Sequence, residues 1–187
     1  MTDPAASATD LEKIMLGEEH RRAILFAVAK LELPDCWLSA GFVRNLVWDR
    51  LHGRTTPTPL NDIDVVYFDA TETAPAVDRQ IETVLRSQFP NENFSVKNQA
   101  RMHTRNGHPP YVDTADALRR WPETCTALGV AWRAGRFEVL APFGLVDLFG
   151  LLVRPTADDA ETVALVRRRM EQRRWRETWP LLVFDLP

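Results

Sequence analysis

Two aspartates one residue apart, Asp62 and Asp64, open the run Asn61-Asp62-Ile63-Asp64-Val65-Val66-Tyr67-Phe68. If that run is a strand, both carboxylates point to the same face, because side chains alternate with a period of two. Like charges held that close oppose each other's ionisation unless a cation lies between them. Hard carboxylate oxygens suit Mg²⁺ (or Mn²⁺), with phosphate oxygens completing its shell. Taken alone, the spacing also describes a solvated turn edge. Upstream, Gly41 falls between a predicted strand and a predicted helix, where unpaired backbone N–H groups point outward. A helix start of that kind binds phosphate oxygens, and the missing side chain lets an anion approach the backbone. Ser39 adds a hydroxyl donor. Alone, this glycine marks an ordinary tight turn; together with Asp62 and Asp64 it places a phosphate cradle and metal carboxylates at one edge of a sheet.

Two further clusters carry charge. Lys97-Asn98-Gln99-Ala100-Arg101-Met102-His103 follows a predicted strand. Lys97 and Arg101 suit a triphosphate and His103 suits substrate orientation or proton transfer, while an exposed polar loop accounts for the run equally well. Between Arg167 and Arg176 there are six Arg and one Glu, a local charge of +5. That stretch reads either as a solvated helix face, with Met170 and Trp175 turned inward, or as a phosphate-backbone contact supported by Trp175 and Trp179. His20, His52 and His108 show no metal-ligand spacing.

The elements that must position these groups follow from periodicity and punctuation. Asp10 reads as a helix cap before Leu11, and Glu18–Lys30 as a second helical stretch burying Ala23, Ile24, Ala27, Val28 and Leu31. Pro34-Asp35 breaks the chain before the apolar run 36–38. A helix is expected over 41–52, burying Val43, Leu46, Val47 and Leu51 and stopping at Gly53. Strands are expected at 63–68 and 94–97, a helix at 75–88, and a loop over 99–113. Short helices should follow at 114–120 and 122–128, then a hairpin of 130–134 and 137–140 around Gly135, and a last helix at 158–175. The architecture is a mixed α/β (α+β) single domain over 1–187, a small mixed sheet flanked by helices. Its parts are a helical segment at 10–35, a core at 36–155, and a helix and tail at 156–187.

Composition narrows the class. The chain has 187 residues, 45% hydrophobic and 26% charged, which excludes wholesale disorder. Its 23 Lys+Arg against 26 Asp+Glu leave a formal charge of −3, so it is no globally basic nucleic-acid binder. No apolar run is long enough to span a bilayer, so no membrane partner is expected. The absence of a visible secretory signal and the two distant cysteines, Cys36 and Cys125, fit a cytoplasmic location.

The segment AGFVRNLVWDRLHG followed by NDIDVVYFD resembles the helix and Asp-x-Asp strand of the DNA polymerase β-like nucleotidyltransferase superfamily. It is most similar to the heads of CCA-adding enzymes and poly(A) polymerases, whose motif runs Gly-Gly-x-Val-Arg-Asp and then Asp-x-Asp. That likeness covers roughly residues 38–68. VKNQARMH, RWPETCTALGV and APFGLVDLF resemble a bacterial nucleotidyltransferase-like family over most of 20–185. The resemblance implies the polymerase β-like fold, with Asp62 and Asp64 as catalytic metal ligands and Gly41 in the phosphate-binding pair, where Ala40 replaces the first Gly. Arg44 matches the motif Arg, whereas Asn45 stands where the motif has Asp. Ser39, Gly41, Arg44, Lys97, Asn98, Arg101 and His103 are the expected substrate-binding residues. The expected partners are a nucleoside triphosphate and a hydroxyl acceptor, RNA or a small molecule. Many members use a third carboxylate on a neighbouring strand, a place that Asn98 takes here; Asn cannot take up a proton near neutrality. Asp69, Asp113, Glu138 and Asp147 are the alternative acids. A non-catalytic nucleotide- or RNA-binding module on the same fold is therefore the second expectation.

Overall fold

In the computed structural model, which describes residues 4–187, two helices come first: α1 (Pro4–Gly17) and α2 (Glu19–Ala29). Glu18 caps α2 by accepting from the backbone N–H groups of His20 and Arg21. Asp10 does not cap a helix; it lies inside α1, which starts further upstream. Strand β1 (Trp37–Ser39) leads directly into α3 (Gly41–Leu51). Eight consecutive α3 residues, Phe42 to Asp49, are buried, so this helix is enclosed by other elements on every side. Leu51, expected inside, is 38% exposed because the helix surfaces at its last turn.

Strand β2 (Ile63–Tyr67), helix α4 (Pro75–Gln88) and strand β3 (Phe94–Asn98) form a βαβ unit with parallel strands. The expected loop after β3 is instead helix α5 (Gln99–Asn106). Asn98 caps it through Ala100 N–H, and Gly107, at φ +69°, ends it. Then come α6 (Thr114–Leu118) and the hairpin β4 (Gly129–Arg133) and β5 (Arg136–Leu140). Residues 122–128 are not helical; they are turns in which Glu123 bridges to Pro155. Beyond α7 (Val146–Phe149) and β6 (Leu152–Val153), helix α8 (Ala160–Gln172) ends where Arg174 turns left-handed, at φ 51° and ψ 42°. The expected single helix is thereby split into α8 and α9 (Trp175–Thr178). Strand β7 (Val183–Phe184) pairs in parallel with β6.

The main sheet runs β3-β2-β1-β4-β5, with β1 antiparallel to both β2 and β4. Ile63, Val65, Leu38, Val96 and Val130 share one face and join α1, α2 and α3 in the main core. The opposite face carries Trp37, Val66 and Ala131 under Trp121 and Leu140, a much smaller cluster. Period-two alternation puts Asp64 and Ser39 on this second face, paired across β2 and β1. Gly129 is their neighbour on β4. A Cβ on Gly129 would sit 2.7 Å from Trp37 Cβ and 2.9 Å from Ser39 Oγ, so the close approach of β4 to β1 requires glycine. No helix among the described residues is long and apolar enough to cross a membrane.

Candidate active site

The β1–α3 junction is the first component. Ala40 holds φ 52° and ψ −123°, a region that side chains disfavour, and this residue turns the chain from strand to helix without a side-chain cap. Val43 and Arg44 N–H groups bond to Ala40 O, while the preceding amides belong to the unsatisfied first turn. A side chain on Gly41 would enter the space bounded by Arg44, Leu60 and Asn45, at ordinary contact distances of 3.5 to 3.7 Å.

Asp62 and Asp64 meet this helix start in a cleft of about 410 Å³. Ala40, Gly41, Arg44 and Asn45 form one side, and Arg169 and Arg173 enter from α8. Burial, then the charge of Asp62, pushes the Asp64 carboxyl up to about 6, while Arg173, Arg44 and Arg169 pull it the other way. Ser39 Oγ lies buried in the neighbouring strand with no hydrogen-bond partner among the described residues.

Arg44 is 3% exposed. Its guanidinium donates from Nε and Nη2 to Asn45 Oδ1, at 3.1 and 2.9 Å, and lies over the Trp48 and Trp175 rings. Burial lowers its pKa to about 10, so it stays charged at neutral pH. Asn45, in the place of the motif Asp, thus serves as the acceptor that orients this buried cation.

Helix α3 also anchors the other walls. Buried Asp49 accepts from Thr58 N–H and Oγ1 at 2.6 Å each, fixing the loop before β2, and from Trp179 Nε1 at 2.8 Å. Trp175 and Trp179 pack edge-on against Trp48, with centroids 5.5 and 5.1 Å away. This packing holds the chain that follows α8 against α3, and Arg169 and Arg173 line the same cleft as the acids. The charged run divides: Arg167 donates to Pro187 O, Arg174 pairs with Glu177 and Arg176 covers Phe184, whereas Arg169 and Arg173 line the cleft. Trp175 turns inward as the solvated-face reading expected, yet the same helix also delivers cations to the cleft.

Lys97, Asn98, Arg101 and His103 are not brought to the cleft. The β2–β3 register sets Ser95 beside Asp64 and Asn98 beside Tyr67, about 10 Å further along the strands. Lys97 pairs with Glu82, and Arg101 with Asp78, both on α4. Asn98 is 1% exposed and fully engaged, accepting from Ala100 and Asp69 N–H and donating to Asp69 O and Glu72 O. His103 Nδ1 contacts Ala100 O within α5. The alternative acids are engaged as well: Asp69 accepts from Thr71, Asp113 caps α6, Glu138 pairs with Arg133 and Asp147 accepts from Thr124. Among the described residues no group of three or more His, Cys, Asp or Glu is placed to hold a metal.

Two carboxylates on one face, one of them raised by burial and by its neighbour's charge, form a donor set that suits a divalent cation whose remaining ligands are water and phosphate. The orphaned Ser39 hydroxyl beside them is a further oxygen without an internal partner. Sequence reasoning passed over Asn45, Thr58 and Trp121 as cleft residues; only Asn45 carried a signal, its motif position.

Comparisons with known proteins bear on the family and the fold. A family model described as nucleotidyltransferase matches residues 27–184. An NMR structure reported to reveal a CCA-adding enzyme head domain superposes with a TM-score of 0.81 at 32% identity, covering 94% of this chain and 96% of the other. No curated protein sequence matches the chain significantly.

Proposed function

Because the chain belongs to the nucleotidyltransferase family, we propose that it transfers a nucleoside monophosphate from a nucleoside triphosphate to a hydroxyl acceptor, with release of pyrophosphate. The observation that carries this reading is the convergence of Asp62 and Asp64 with the start of α3 in one cationic cleft. Asp62 and Asp64 would hold the divalent cation, Mg²⁺ or Mn²⁺, which when bound neutralises phosphate charge and orients the triphosphate. The first amides of α3 receive phosphate oxygens, and the bare Gly41 leaves the room for them. Arg44, fixed by Asn45 and two tryptophans, adds positive charge beneath the same site. The acceptor oxygen forms a bond to the α-phosphorus as the bond from that phosphorus to the bridging oxygen breaks. The electron pair leaves on pyrophosphate and the hydroxyl proton passes to solvent. Catalysis of this kind is positioning and charge neutralisation.

The cleft holds only two acids, and β3 sets Ser95 rather than a carboxylate beside Asp64, which favours a second reading: a nucleotide- or RNA-binding module without turnover. One experiment separates the two. Labelled NTPs are incubated with Mg²⁺ or Mn²⁺ and with RNA or small-molecule acceptors, while calorimetry follows nucleotide binding. Pyrophosphate release that disappears in Asp62→Asn supports the transferase. Binding lost in Asp62→Asn but never accompanied by transfer supports the module, and absence of nucleotide binding would sink both.

A further inference from the structure

Arg169, in the last turn of α8, and Arg173, the residue that caps its end, both line the cleft that holds Asp62 and Asp64. They are held differently. Arg169 donates from Nε to Glu123 Oε1 at 2.6 Å, and the Glu123 side chain is fully buried, its second oxygen accepting from Thr126 Oγ1 at 2.7 Å. A guanidinium tethered through Nε keeps its terminal nitrogens available as a fork. Arg173 is exposed, and its side chain has no hydrogen bond or ion pair with any described residue. Besides Arg44, the cleft therefore presents one fixed and one unengaged guanidinium, Arg169 and Arg173, toward an anion. The other candidate cations, Lys97 and Arg101, are already paired with carboxylates of α4.

We infer that Arg169 and Arg173 form the subsite for the terminal phosphates of the nucleotide, with Glu123 as the positioning residue for Arg169. This rests on the reading of the cleft as a nucleotide site and assigns the leaving pyrophosphate to the α8 wall. A ligand carrying several phosphates satisfies both walls at once: some oxygens face the cation at Asp62 and Asp64, others the arginine fork. Pyrophosphate with Mg²⁺, lacking any nucleoside, is consequently a ligand in its own right.

Isothermal calorimetry with Mg-pyrophosphate and Mg-ATP tests this on the full chain. Arg173→Gln should raise the Kd for both ligands about tenfold or more, with an unchanged melting temperature, since its side chain supports nothing else. Arg168→Gln, on the same helix outside the cleft, should bind like the wild type. Arg169→Gln should match Arg173→Gln in binding but melt lower, because it leaves Glu123 buried and unpaired; should it not fold, Arg173→Gln still decides. The assignment is overturned if Arg173→Gln binds both ligands normally while Asp62→Asn binds neither, a result that leaves the nucleotide site intact. Binding of Mg-ATP without any binding of Mg-pyrophosphate overturns it too. Wild-type protein that binds neither ligand removes the nucleotide reading and this subsite with it.

Discussion

Asp64 shows at the residue scale how function is held against stability. Burial and Asp62 push its carboxyl from the usual 3.8 up to about 6, so the folded protein prefers it protonated and the unfolded chain does not. A raised carboxylate weakens the fold as pH climbs through the interval between those two values, and the full penalty is present above the upper one. Asp64→Asn should therefore stabilise the metal-free protein at about pH 7.5 by on the order of 2 kcal/mol, with the gain gone near about pH 4. Added Mg²⁺ should reverse the order by stabilising only the wild type. Thermal melts at the two pH values, with and without the ion, check both statements. That the two acids share a face was legible from their spacing, since a period of two needs only a strand to bring them together, but the spacing alone also fitted a solvated turn edge. Arg44 was legible from its motif position, but its partnership with Asn45 was not, because a departure from a motif does not announce what the new residue does.

At the scale of elements, local signals were read well where the chain punctuates itself. Helix α4 begins and ends as expected, and the hairpin around Gly135 follows its turn residues. Helix α5 was passed over although Asn98 and Gly107 are ordinary start and stop signals, because the polar, histidine-containing sequence between them offers no apolar stripe to detect. The turns at 122–128 resembled a helix because their apolar residues are buried on all sides, which leaves no periodicity to separate the two. Long-range register was out of reach: nothing local says that Ser95 rather than Asn98 lies beside Asp64. The same register gives Gly129 its importance. Gly129→Ala should cost about 2 kcal/mol by driving β4 away from Trp37 and Ser39. Denaturant unfolding measures the loss, and a Gly135→Ala control, whose strain comes from its φ of +75° and which has no Cβ neighbours within 4 Å, tells overpacking from turn strain by leaving the Trp37 fluorescence environment unchanged.

Over the whole molecule, the cleft draws on segments far apart in sequence: the β1–α3 junction, the loop fixed by Asp49, the acids of β2 and the arginines of α8. Trp48, Trp175 and Trp179 are what holds the last of these to the first. Trp179→Ala removes a side chain that is 3% exposed and takes one donor from buried Asp49. A loss of about 3 kcal/mol is expected, with proteolysis near Arg173 and Arg174 faster than in the wild type. Limited digestion followed by mass spectrometry reads both the rate and the position. Both characters of the arginine run were legible as alternatives, but not which arginines take which: that depends on a left-handed turn at Arg174 and on docking against α3, neither of which is encoded in the run itself.

The docking of α8 and α9 on α3 also sets an order in time. Ribosomes make Ser39, Gly41, Asp62 and Asp64 early, whereas Arg169, Arg173 and the two tryptophans that seat them come more than a hundred residues later. A nascent chain thus carries its paired acids with Arg44 but without Arg169 and Arg173, and gains a complete pocket only when the far segment folds back. Assembly of the site therefore waits on that segment, and a chain interrupted just before Trp175 carries the acids and both arginines but lacks the tryptophans that seat Arg169 and Arg173.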